Sequence, residues 1–369
     1  MNLVKTENHR ERGLDILRNL SMLMVITIHI VSHGGLGKAY APGSVGNWLV
    51  SLIEIAAYPA VDCFVLLSGY LLSNLHFKVS RLFKAWLPAV FWSVVIQCIF
   101  FMIDRETITP GTVLYMFLPV LSGRYWFLNA YIVMILVSPV LNRLLRDLPR
   151  WQMLGFLLVL LAVFCVSPIF SLGNDIFKTQ NGYAFPWFVV MYLCGGYIRN
   201  YCSKSANAWK FLCGYLLFVL SHLLWNKLTA AVIPGIGLSK LFMKYTSIPV
   251  FGSALCLLQF FRSVSFSAQD CRSRLFARVS PLVFCVYLIH DHPLIRTHLL
   301  QERFILAGQF AWWAVLLWVI GTILGTFLLG LCLEWLRTLL FKSLRIDAFV
   351  QQLCEKMTEI VVSLLKGKL

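Results

Sequence analysis

Apolar stretches long enough to cross about 30 Å of hydrocarbon as helices recur along the whole 369-residue chain, and they leave room for little else. Ten are readable, at roughly 14–33, 47–73, 85–103, 125–142, 152–170, 183–200, 209–226, 247–262, 279–297 and 309–333. A backbone in lipid must satisfy its own hydrogen bonds, and stretches of this length do so as helices. The sequence therefore predicts an all-α, polytopic integral membrane bundle of about ten transmembrane helices. It divides into an N-terminal segment 1–13, an integral domain 14–335 and a basic amphipathic tail 336–369.

The residue balance agrees: 59% hydrophobic, 13% charged and a mean hydropathy of +0.77 exclude an ordinary soluble domain. A net charge of +16 would suggest nucleic acid in a soluble protein. Here it reads as topology, and no nucleic-acid partner is expected. With both termini cytoplasmic, about two-thirds of the 32 lysines and arginines fall inside, the remainder outside, with Arg18 alone within a span. Met116 to Ser122 is too short to cross and reads as an outer interfacial piece. Lys227, Lys240 and Lys244 sit in a supposed outer loop, against the rule, which makes the eighth stretch the weakest. All eleven cysteines fall in spans or cytoplasmic segments, so neither disulfides nor a zinc site of paired CxxC type is expected. The basic start lacks a small-residue cleavage site, so the first span reads as retained. Ile346, Phe349, Val350, Leu353, Met357, Ile360, Val361 and Leu364 recur at helical spacing and predict an interfacial helix. Neither an internal repeat nor a Walker glycine loop is evident, which disfavours an ATP-driven pump.

Function must then lie in the polar residues of the spans. Arg18 and His29 are eleven steps apart, which in a helix puts them on one face about 16 Å apart along the axis, with Met22, Val25 and His33 on the same stripe. An ionisable group in a span costs on the order of 3 kcal/mol and faces a partner or a cavity. His29 is a natural base for a hydroxyl proton, or a nucleophile, or a structural hydrogen-bonding group. His29 and His33 at i, i+4 could also chelate, but the sequence offers no evident third ligand and no metal is expected. Glu54 and Asp62 in the second stretch are candidates to orient His29 or to pair with Arg18, for mechanism or for structure alone. Ser68-Gly69 permits close helix approach. Arg81 and Lys84, before Pro88, project from one face and serve either as inside anchors or as a grip on an anionic donor. Trp126, Phe127 and Tyr131 line a channel or fill the core. Tyr287 and His290 are candidate lining residues, followed by Asp291, His292 and a helix-breaking Pro293.

These blocks resemble the membrane acyltransferase-3 family. The likeness is carried by Arg18 and His29 with ten residues between them, by Asp62 to Leu72 ending Ser-Gly-Tyr-Leu-Leu, and by Arg81-x-x-Lys84 before Pro88. Tyr125-Trp-Phe-Leu-Asn-Ala-Tyr131 with Ser138-Pro139, and Val286-Tyr-Leu-Ile-His290, complete the series from about residue 12 to 335. The resemblance implies an integral-membrane O-acyltransferase of about ten helices. It would take an acyl group, usually acetyl from acetyl-CoA, and place it on a sugar hydroxyl of a surface glycan or lipid-linked precursor. It implies catalytic roles for Arg18 and His29 and a CoA-side role for the pair at Arg81 and Lys84, where Lys84 replaces the family's second arginine. Asp62 is then the expected orienting carboxylate. Glu54, His33, Trp126, Tyr131, Tyr287 and His290 are the expected channel, with acyl-CoA on the cytoplasmic side and membrane lipids around. The cell membrane expected is a bacterial plasma membrane. The alternative is a transporter or flippase for a lipid-linked saccharide, in which Arg18, His29, Asp62 and Glu54 form a gated polar path.

Overall fold

The computed structural model describes residues 11–105, 109–233, 238–265 and 270–365, and these form helices, turns and no strand. In order they are α1 (Arg12–Ser32), α2 (Val45–Ala57), α3 (Ala60–Leu72), α4 (Ser80–Ile103), α5 (Pro110–Phe117), α6 (Trp126–Asp147) and α7 (Arg150–Leu161). There follow α8 (Ser167–Phe170), α9 (Phe185–Tyr201), α10 (Trp209–Val232), α11 (Ile248–Ser263) and α12 (Cys271–Val279). The last four are α13 (Val283–His290), α14 (Pro293–Ile295), α15 (Trp312–Ser343) and α16 (Ile346–Leu365).

Among the described residues, seven helical segments are long and apolar enough to cross a membrane: α1, α2 with α3, α4, α6, α7 with α8, α10 and α15. Exposed Leu217, Leu317 and Val159 on their outer faces suit lipid contact. The other three expected stretches are shorter helices. α9 and α11, of 17 and 16 residues, each begin at a proline, and α13 has eight.

Two breaks matter for the site. The second stretch is not one helix: Pro59 has no N–H, the ladder stops at Tyr58, and α3 restarts with Cys63 N donating to Pro59 O. The ninth stretch stops at His290, where Asp291, His292 and Pro293 turn the chain. Lys227 lies within α10, which runs past the predicted end to Val232. Its Nζ donates to Asn47 Oδ1 and Ser51 Oγ, both at 2.6 Å.

Packing makes α1 the axle, in contact with α2, α3, α11, α12, α13 and α15. α3 lies closest to α9, because Gly69 faces the Tyr192 carbonyl and Gly195 faces the Leu66 carbonyl where a Cβ would collide. α13 is held against α4 and α15. Beside it Glu334 on α15 accepts from Trp92 Nε1 on α4 (2.9 Å) and from Arg337 Nε and Nη2 (2.8 and 2.6 Å). This buried, fully paired carboxylate was not among the sequence candidates.

Candidate active site

His29 sits near the end of α1, and its partner comes from the broken end of α13. His29 Nδ1 lies 3.0 Å from His290 Nε2, and His290 Nδ1 lies 2.7 Å from the Val286 carbonyl. A carbonyl only accepts, so His290 carries its proton on Nδ1 and, as a neutral ring, accepts at Nε2. His29 must then donate from Nδ1, which leaves Nε2 of His29 with the free lone pair. Thus the chain Val286–His290–His29 selects the tautomer that a base requires.

His29 lines a cavity of about 30 Å³ with Met22, Val25, Ile28, Val61, Phe64, Trp126, Phe127, Tyr245, Phe284 and Tyr287. At about 10–15 Å³ per water this holds little more than two waters. The Tyr287 hydroxyl is buried and makes no well-aligned hydrogen bond, its side-chain neighbour being the Asp291 carboxyl. It stands on the wall that also carries His29.

Past His290 the turn is crowded with charge. Asp291 Oδ1 is 3.8 Å from His29 Nδ1 and 3.3 Å from Arg296 Nη1. Arg124, just before α6, places Nη1 2.6 Å from His292 Nε2. Partial burial lowers the Arg124 pKa from the ordinary guanidinium value, against a smaller opposing influence of Tyr125. This end of the bundle is closed by the loop after α14, where Glu302 N donates to His33 O and Phe304 N to Gly34 O. Arg124 and Arg296 were not singled out from the sequence, and His292 was named there without a role. The signal was present as Asp-His-Pro directly after a span histidine.

The sequence candidates divide. His29, Trp126 and Tyr287 meet at the cavity, and His290 stands behind His29 as its partner. His33 is exposed, its ring 5.3 Å from that of His29. Tyr131 is one layer out, stacked on Phe127 at 5.7 Å. Arg18 is at the far end of α1, donating to Ser280 Oγ (2.9 Å) and 4.0 Å from Asp15. Arg81, half-buried, and Lys84, exposed, lie in the first turn of α4. Glu54 faces Lys227 and Lys240 electrostatically and does not line the cavity. Asp62 does not hydrogen-bond to His29. It is fully buried, its Oδ1 accepts from Trp187 Nε1 (2.9 Å), and its Oδ2 has no hydrogen-bond partner. The break at Pro59 turns it toward α9, so the carboxylate beside His29 is Asp291. Asp291 also supplies the third group that the sequence lacked for a metal, since donor atoms of His29, His33 and Asp291 lie within 4.8 Å of one another.

The family model for an acyltransferase domain, acyltransferase-3, matches residues 11–333. The chain belongs to the acyltransferase-3 family. No curated protein and no solved structure matches it. Membership makes it an acyltransferase-type membrane protein, and it puts the His29 cavity inside the matched region, which ends within α15.

Proposed function

We propose that this acyltransferase-3 protein is an O-acyltransferase that moves a short acyl group, acetyl from acetyl-CoA, to a hydroxyl of a surface polysaccharide or its lipid-linked precursor. The observation that carries the reading is the tautomer of His29: its Nε2 lone pair is free beside a small apolar cavity, while Nδ1 is held by His290. In the proposed step Nε2 takes the acceptor's hydroxyl proton as that oxygen attacks the thioester carbonyl. The C–S bond then breaks, and the proton passes from His29 to the departing thiolate. The buried Tyr287 hydroxyl, beside the cavity and next to Asp291, is suited to donate to the oxyanion that forms. A cavity of about 30 Å³ suits two carbons better than a long chain.

Arg18 lies about three turns from His29 and touches no reacting atom. With the termini inside, it belongs with Arg81 and Lys84 to the cytoplasmic side, where the anionic CoA would be held, and the acceptor would approach from the His33 end. The enclosing membrane is then a bacterial plasma membrane. The test is transfer of radiolabel from acetyl-CoA, added to the cytoplasmic side of inverted vesicles, into glycan or lipid-linked sugar. Label should appear with wild-type protein and vanish with His29→Ala that remains folded in the membrane. Equal labelling by both would remove His29 from the mechanism, and no label with any short acyl donor would turn the reading to a flippase.

A further inference from the structure

The charge at the His33 end is unbalanced in a way that acyl transfer to a bare hydroxyl does not require. Arg124 forms no ion pair among the described residues; its guanidinium, with five N–H donors, lies 2.6 Å from Nε2 of His292, whose Nδ1 already accepts from Leu294 N, so the neutral ring turns an N–H and not a lone pair toward it. Arg296 acts on the same imidazole electrostatically, and its carboxylate partner among the described residues, Asp291, is shared with His29. One guanidinium thus touches the buried ring, and a second, paired with Asp291, acts on it electrostatically. Glu302, the other acid at this end, is 3.6 Å from Lys38.

We infer that Arg124 and Arg296, which both act on His292, form a subsite for a phosphate group carried by the acceptor. The inference rests on the acyltransferase reading of the same site and names the chemistry of its second substrate. Guanidinium forks match the oxygens of a phosphate, and a half-buried, unpaired arginine holds its positive charge ready at no cost of breaking an ion pair. Exposed Leu299, Ile305 and Leu306 lie in the adjoining loop and suit a hydrocarbon tail, which favours a lipid-linked phosphate over a free one. The acceptor would be anchored by its phosphate, and a sugar hydroxyl would be offered toward His29.

Binding of farnesyl [³²P]phosphate to the full chain in detergent micelles tests this without any acyl donor, so its result is independent of the transfer assay. Arg124→Gln should weaken binding roughly 10- to 100-fold, the loss expected for a hydrogen bond to a charged group. Arg296→Gln should weaken it in the same direction. Arg124→Lys, which keeps the charge and loses the fork, should recover part of the affinity, which a purely packing role for the guanidinium plane would not allow. Unlabelled farnesyl phosphate should displace the label and farnesol should not. Displacement by inorganic phosphate at comparable concentration would assign the subsite to phosphate as such, and a tenfold or greater advantage of the ester would assign it to a lipid-linked group. The inference is overturned if farnesol competes as well as the phosphate, if folded Arg124→Gln binds like wild type, or if Arg124→Lys is as weak as Arg124→Gln.

Discussion

Asp62 and His29 are both ionisable groups inside apolar helices, both were read from the sequence as parts of one site, and the fold treats them in opposite ways. Asp62 is sealed between α3 and α9, with one indole donor and one oxygen left over. His29 has a directed partner on one nitrogen and a cavity beside it. The lesson is that burial of a polar group in a span does not announce chemistry. What distinguishes a reacting group is a fixed tautomer together with free space where a second molecule can go.

The comparison breaks most visibly at His29. His29→Ala should reduce acyl transfer by about 10²–10⁴-fold, the usual worth of a positioned base, while Asp62→Asn should leave the rate of folded protein near wild type. If Asp62→Asn instead matched His29→Ala in rate and in pH profile, the carboxylate would belong to the mechanism after all. His290 comes next. His290→Ala frees His29 Nδ1 to lose its proton preference, and the rate should fall about 10²-fold. His290→Gln, which can still accept from His29, should recover part of it, and a packing role would show no such rescue. Tyr287→Phe removes one donor to the developing oxyanion without changing shape, and a loss of about 10²-fold in kcat with little change in KM is expected.

Much of this was legible beforehand. Periodic apolar length marked the bundle, the eleven-residue step from Arg18 to His29 marked one helix face, and the resemblance marked the chemistry. What the sequence could not carry was the pairing across distance. His29 and His290 are 261 positions apart, and nothing local reveals that α13 ends where its last histidine meets α1. Likewise Asp62 was a candidate to orient His29 or to pair with Arg18. Its true partner, Trp187, comes from α9, and the choice depends on the rotation that follows the break at Pro59. Arg124 and His292 are 168 positions apart, and only the turn after α13 brings them together.

The Asp62 side of the comparison sharpens through Trp187. Trp187→Phe takes away the only hydrogen bond to a fully buried carboxyl, which should cost about 1–3 kcal/mol of stability, read as a fall in melting temperature in detergent. Acyl transfer by the protein that remains folded should be nearly unchanged. A large loss of rate at unaltered stability would tie Asp62 to the site.

Asp175, outside the spans in the loop before α9, is the counter-example that calibrates Asp62, because it is a carboxylate with donors to spare. Its Oδ1 accepts from Thr179 N (3.0 Å) and Thr179 Oγ1 (2.9 Å), and its Oδ2 from Asn181 N (3.1 Å). Partial burial works against its charge, but these donors outweigh it and hold the carboxyl below the usual carboxylate range. A pKa depressed in the fold means stability that is present above the unfolded value near 4 and lost as pH falls through the folded value. Asp175→Asn should therefore be less stable than wild type at pH 7, by only on the order of a few tenths of a kcal/mol because water reaches the group. The gap should close as pH drops below about 4, where the wild-type carboxyl takes up its proton. Melting curves of both proteins across that range decide the matter: a gap that persists unchanged at low pH would mean that the loop is held by shape and not by the charge on Asp175.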